Sequence, residues 1–293
     1  GNELRSSLMN ALNSIASKSA IENQPVNDSV CNLVWRIIED TNNQSIQRLS
    51  TITSVLADLV VNEENVLRLI SDRDHLSYLR SLTKMKDKTL RRGLARVIAN
   101  ATRRNEIIRS NISETWMETL IDWAFRVDKN DQSLVVCALV ALCNISPRCG
   151  ELVVERLKEK EFENICVQTI ESNELFKTQY VVDEELDSTT HQSNNAVAVL
   201  LARLCANITR RPVAVRAFST HFDLNMIIEH LSKEEACLPF LAMTLANVAA
   251  TSPRVAWTMA KMSTINQSLL TTLLNSENVL VQRHTARAVA NLA

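Results

Sequence analysis

One short pattern returns along this chain and limits what it can fold into: an apolar helical stretch that closes on an asparagine. It reads GLARVIANA at 93–101, LVALCNI at 139–145, LARLCANI at 201–208, LAMTLANV at 241–248 and ARAVANL at 286–292. The asparagines are Asn100, Asn144, Asn207, Asn247 and Asn291, spaced 44, 63, 40 and 44 residues apart. An earlier copy, SVLADLV at 54–60, places Asp58 in the slot, and a weaker one, LMNALNSI at 8–15, places Asn13 there. Self-similarity at a period of about forty residues marks stacked units, none of which can bury its own apolar face alone.

The flanks repeat as well. One residue before the asparagine stands Ala99, Cys143, Ala206, Ala246 or Ala290, and five before it Ala95, Leu139, Ala202, Ala242 or Ala286. On a 3.6-residue helix these positions share one broad face, with the asparagine on the other side. Small residues there let neighbouring helices approach closely. Each period also holds two earlier helical segments, clearest at 253–262 and 263–275 ahead of 278–293. Pro253, Pro147 and Pro212 mark expected starts of the short first helix, because proline is tolerated in a first turn. The chain has three glycines in 293 residues, where average usage of ~7% would give about twenty. Only Gly93 and Gly150 are internal, which disfavours dinucleotide folds, P-loops and nucleophile elbows and agrees with an all-α protein.

Three helices per ~42 residues, an apolar inner face and an asparagine closing the third helix resemble the armadillo repeat. The resemblance covers nearly all of 1–293, as one array of six full copies and a partial first one. It implies a right-handed α-solenoid whose third helices line a concave groove, with the asparagines gripping the backbone of an extended peptide. Two features depart from the family pattern. The glycine between the first and second helices is missing from nearly every copy, so those helices are expected to meet in a HEAT-like hairpin. The tryptophan that some grooves carry four residues before the asparagine is absent too.

An amide both donates and accepts, so a ladder of them can pair successive peptide groups of a ligand. Four and eight residues before the asparagine, near its face, stand Arg96 and Arg92, Arg203, and Arg287 and Arg283. Arg103, Arg104, Arg148, Arg210 and Arg211 follow just beyond it. Arginine's planar fork suits carboxylate and phosphate. The expected ligand is therefore an acidic or phosphorylated segment, or a helix, of another protein. The 63-residue period holds an insertion near 172–195 with Glu174, Asp183, Glu184, Glu185 and Asp187, read as a surface loop or an internal acidic pseudo-ligand.

An enzyme is not expected. His75, His191, His221, His230 and His284 are scattered without metal-ligand spacing, no catalytic pair is evident, and no cofactor or metal is implied. Trp35, Trp116, Trp123 and Trp257 sit among apolar neighbours and read as core. The seven cysteines contain no CxxC pair and read as small buried residues of an intracellular, reducing setting, cytoplasmic or nuclear. No run of ~18 apolar residues stands out, so membrane insertion is not expected. The closing ANLA, inside an apolar helical pattern, suggests a fragment of a longer protein. Two other readings remain: a regulatory domain that restrains a neighbouring catalytic domain or binds a small anion, and a nucleic-acid binder. The net charge of −1 disfavours the last.

Overall fold

The computed structural model describes residues 2–40, 45–103, 105–126, 131–157, 162–164, 166, 196–251, 271 and 273–292. Among them there are helices and no strands. They pack as two compact units, Gly1–Ile145 and Ser146–Ala293.

The first unit opens with α1 (Asn2–Glu22), α2 (Asp28–Glu39) and α3 (Ile46–Leu59). It continues with α4 (Glu63–Ile70), α5 (Arg73–Leu82) and α6 (Lys88–Ala101). Short polar side chains start these helices. Asn27, Asn62, Asp72 and Asp87 each accept a hydrogen bond from a backbone N–H of the turn they open. Such caps are worth about 1 kcal/mol apiece. α4 and α5 meet across Ser71 and Asp72 with no glycine at the corner, because the N-cap at Asp72 supplies the turn. The next repeat differs. Its first two helices fuse into one, α7 (Glu106–Ile121), which runs on through a π-type turn at Asp122–Arg126. The expected three helices per period are therefore two here, the more HEAT-like arrangement.

α8 (Gln132–Arg156) follows and contains Asn144. A new helix was expected to start at Pro147, but α8 runs straight through it. The break comes two residues later, at Cys149, whose φ of −127° and ψ of 33° are not helical. α8 has no unbroken run of 18 apolar residues, since Asn144, Ser146, Pro147 and Arg148 interrupt it. By length and composition it could cross a bilayer, with a mean hydropathy of 1.6 in its best window. Two-thirds of that window (67%) is buried in the protein, as befits the core helix of a repeat.

The second unit contains α9 (Ala196–Ile208), α10 (Pro212–His221), α11 (Leu224–Leu231), α12 (Leu238–Thr251) and α13 (Val279–Leu292). Arg211 is the N-cap of α10 and Pro212 its first residue, the start expected from sequence. The acidic stretch 172–195, the segments at 253–275 before α13, Trp257, His191 and Arg104 lie outside the described residues.

The small-residue face is the buried one. Ala95, Ala99, Leu139, Cys143, Ala202, Ala206, Ala242 and Ala246 are all buried, whereas Ala286 and Ala290 of α13 are exposed. Apolar residues from successive repeats fill the core between them, such as Leu49, Ile52 and Leu56 of α3 and Leu90, Leu94 and Val97 of α6. Full burial of each larger side chain contributes about 1.5–3 kcal/mol. Trp35, Trp116 and Trp123 are core, as expected. The Trp35 and Trp116 indole N–H groups donate to the carbonyls of Leu69 and Leu76, at 2.7 and 3.1 Å. In the second unit Phe162, Phe218 and Phe222 form an aromatic cluster, with centroids 5.0–6.2 Å apart. Of the seven cysteines all but Cys149 are buried. Burial, and then the Glu151 carboxylate, push the Cys149 thiol up to about 11.

The two internal glycines mark close helix crossings. A Cβ on Gly93 would stand 2.6 Å from the Thr53 hydroxyl of α3. A Cβ on Gly150 would stand 2.8 Å from the Ile208 carbonyl oxygen of α9, where backbone itself is the obstacle.

Candidate functional site

The asparagines sit at helix ends, and that position decides what they bond. The last four carbonyls of a helix have no partner within it. In α3, the N–H groups of Val60, Val61 and Asn62 turn back to Leu56, Asp58 and Leu59, which leaves the Ala57 carbonyl open. Asn100, one repeat later, donates its amide N–H to that carbonyl at 2.8 Å. The relation recurs. Asn144 reaches the Ala99 carbonyl at 3.5 Å and the Thr102 hydroxyl at 3.2 Å. In the second unit Asn247 reaches the Ala206 carbonyl at 3.3 Å and the Thr209 hydroxyl at 3.4 Å. Asn291 donates to the Ala246 carbonyl at 3.4 Å. Each of these four asparagines thus clasps the helix end of the repeat before it, not its own.

Thr102 and Thr209, both two residues beyond an asparagine and buried, belong to this clasp. Their hydroxyls donate back into their own helix, Thr102 to Ile98 and Ala99, Thr209 to Cys205 and Ala206, and accept from the next asparagine. In the sequence they are marked only by a threonine at the same offset from the asparagine in two copies.

A clasp of this kind uses only part of an amide. Asn100 and Asn291 spend one N–H each, whereas Asn144 donates to two acceptors; among the described residues the side-chain carbonyl oxygens of all three have no protein partner. Asn100 and Asn144 are half-buried and Asn291 is exposed, so this remaining capacity is within reach of solvent. Asn207 is different: it is buried, at 7% exposure.

The arginines divide by unit. In the first unit Arg96 pairs with the Asp58 carboxylate, in the slot of the preceding repeat. Arg92 donates its Nε–H to both oxygens of Asp131 at 2.8 Å. Asp131 is nearly buried and also caps α8, accepting from the Leu134 N–H at 3.3 Å. Arg109 donates to the carbonyls of Thr102 and Arg103, closing the end of α6. In the second unit Arg211 pairs with Glu151 at 2.7 Å and also donates to the Arg148 carbonyl. Arg148 is exposed and Arg203 half-buried.

The last repeats of the second unit are arranged otherwise. Arg287 makes the same backward reach as Arg96 but meets a neutral group, donating to the Asn247 carbonyl oxygen at 2.5 Å. Asn247 in turn touches Thr209, and Arg210 is the next residue. Arg283 lies one turn before Arg287 on α13. Arg210, Arg283 and Arg287 are all exposed, and among the described residues none has an ion pair with a carboxylate. Their charges converge on His284, whose pKa is lowered by burial first and then by Arg287, Arg283 and Arg210. His284 Nδ1 is buried with no hydrogen-bond partner. Among the described residues no group of three or more His, Cys, Asp or Glu side chains is placed to hold a metal ion.

The fold is shared with solved structures. The chain superposes on an engineered protein at 18% identity and a TM-score of 0.71, over 97% of this chain and 63% of the other. It matches a designed armadillo repeat protein at 16% identity and a TM-score of 0.69, over 88% and 99% of the two chains. A second designed armadillo repeat protein, in complex with the peptide (KR)4, matches at 15% identity and a TM-score of 0.66, over 88% and 98%. These likenesses establish an all-α, armadillo-like helical-repeat solenoid fold. No family model matches the chain, and no curated protein matches it significantly.

Proposed function

We propose that this chain is a non-catalytic scaffold that binds an acidic or phosphorylated linear segment of another protein along the face carrying its asparagines and arginines. The observation that carries the reading is the set of three exposed arginines, Arg210, Arg283 and Arg287, beside a clasping asparagine and without carboxylate partners among the described residues. An exposed guanidinium without an internal counter-ion keeps its full capacity for a ligand anion. The asparagines complement it. The uncommitted N–H and carbonyl oxygen of Asn100 and of Asn291, and the carbonyl oxygen of Asn144, fit the N–H and C=O groups of an extended backbone. A designed protein of the same fold is in complex with the peptide (KR)4, a basic ligand. The arginines of this chain favour a ligand of the opposite charge.

Fluorescence anisotropy with labelled acidic, phosphorylated and basic peptides tests the reading. Acidic or phosphorylated peptides should bind, and more weakly as salt rises, since exposed charges are screened beyond about 8–10 Å at physiological ionic strength. The basic peptide should not bind. Asn144→Ala should weaken binding with little change in salt dependence, because it removes a neutral contact. Preferential binding of the basic peptide would overturn the proposal.

A further inference from the structure

The arginines in equivalent slots of the two units have different partners, and one side chain accounts for it. Asp58 stands in the slot of its repeat and takes Arg96 into an ion pair. Asn247 stands in the same slot of its own repeat and gives Arg287 only an amide oxygen. In the first unit Arg92 is also held by a carboxylate, that of Asp131. In the second unit its equivalent, Arg283, has no carboxylate partner among the described residues. Three arginines therefore flank the Asn247–Thr209 contact, Arg210 just past the end of α9 and Arg283 and Arg287 on α13, with a formal charge of +3, all three acting on His284 and none paired with a carboxylate among the described residues. Like charges this close repel, and folding tolerates them where an anion can settle among them.

We propose that Arg210, Arg283 and Arg287 form a discrete site for a phosphoryl group, a phosphomonoester on the bound segment, and that the neutral amide of Asn247 keeps the site open. The proposal rests on the scaffold reading above and narrows it to one place and one chemistry. The geometry is a row held by hydrogen bonds. Arg287 donates to Asn247 Oδ1, Asn247 Nδ2 donates to Thr209 Oγ1, and Arg210 follows Thr209. Arg283 adds a second fork one helical turn from Arg287. A phosphomonoester carries nearly two negative charges and three acceptor oxygens, more than one arginine can satisfy and well matched to forks from several directions. A single carboxylate would leave part of the positive charge uncompensated. His284, beneath the arginines, is a built-in reporter: an anion bound there offsets the charges that lower its pKa.

The test uses the whole chain, with inorganic phosphate, a peptide carrying one phosphoserine, its unphosphorylated counterpart and an aspartate-rich peptide. Arginine Nε–H and histidine ring NMR signals report the site. Phosphate should shift the Arg210, Arg283 and Arg287 signals saturably and raise the His284 titration midpoint. The phosphopeptide should bind at least about tenfold tighter than its unphosphorylated counterpart, as expected for an added charge-assisted contact. Asn247→Asp copies the Asp58 arrangement with almost no change in shape. It should weaken phosphate and phosphopeptide about tenfold or more, and because it also gives up the N–H that clasps the Ala206 carbonyl its melting temperature should fall; Arg283→Gln, on the exposed surface, should weaken both ligands as much with a melting temperature near the parent's. Absence of a saturable effect on the three arginines overturns the site, as does phosphate affinity unchanged by both substitutions. Tight binding of the aspartate-rich peptide, unaffected by either substitution, also overturns the site but leaves the scaffold reading standing. Phosphate binding at the trio while no peptide binds at all supports the site and refutes the scaffold.

Discussion

Arg96 reaches back one repeat to the carboxylate of Asp58. Both side chains are partly in solvent, at 44% and 21% exposure, so the pair is expected to contribute little to stability. A double-mutant cycle with Arg96→Ala and Asp58→Ala should give a coupling of roughly 0.2–1 kcal/mol that shrinks with added salt. A coupling several times larger would mean that the pair is shielded from water.

Arg92 should behave differently. Its partner Asp131 has a side chain only 2% exposed, so losing the guanidinium leaves a charge with little access to water. Arg92→Ala should destabilise by roughly 2–3 kcal/mol in urea denaturation, somewhat below a fully buried pair because Arg92 itself is half in solvent. A loss under ~0.5 kcal/mol, the range of ordinary surface substitutions, would show that water reaches the carboxylate.

The buried alanines predict a cost of overpacking. Ala206→Leu or Ala246→Leu should each destabilise by roughly 1–3 kcal/mol, since both alanines are fully buried between packed helices. Ala290→Leu, at the equivalent but exposed place in α13, should be close to neutral. Comparing the melting temperatures of the three variants checks it.

Gly150→Ala and Gly93→Ala should separate as well. At Gly150 the new methyl meets the Ile208 backbone, which cannot step aside alone, so a loss of about 1–3 kcal/mol is expected. At Gly93 the obstacle is the Thr53 side chain, and alanine's better helix propensity, worth up to about 1 kcal/mol, offsets the crowding. Equal losses at the two sites would contradict the difference between side-chain and backbone obstacles.

His284 gives a pH signature. Its folded pKa lies below the ordinary 6.5, so between the two values the unfolded chain binds more protons than the folded one. The stability linked to this group is complete above pH 6.5 and falls as the solution is acidified through the folded pKa. Unfolding titrations of the parent and His284→Gln between pH 7.5 and pH 5, a range that follows from the ordinary histidine value, should diverge on the acid side, the variant losing less. Parallel curves would show that His284 does not couple to folding.

Much of this architecture is legible in the sequence because it is carried by side-chain type at fixed spacing. The period, the helical class and the buried small-residue face all follow from residues such as Ala95, Ala99, Ala202 and Ala206. The placement of Asn100 and Asn144 at neighbouring helix ends follows from the same pattern. Their backward bonds do not, because the acceptors at Ala57 and Ala99 are main-chain carbonyls, and every residue type has one. Nor does spacing distinguish Arg92 from Arg283. That difference depends on Asp131, which lies at the start of a helix outside the aligned segment. The fused α7 also escaped the pattern, and in α8 the break falls at Cys149 rather than at Pro147. Proline is tolerated in a first turn, so it marks the neighbourhood of a helix start better than the exact residue.

The backward clasp has a consequence for how such a chain is made. The Ala57 carbonyl at the end of α3 finds its partner in Asn100, 43 residues further on. A repeat leaving the ribosome is thus finished by its successor: its last turn stays hydrated until the next asparagine arrives. Maturation then travels one step behind synthesis, and a cut between repeats loosens the segment that remains on the upstream side as well as removing the one below.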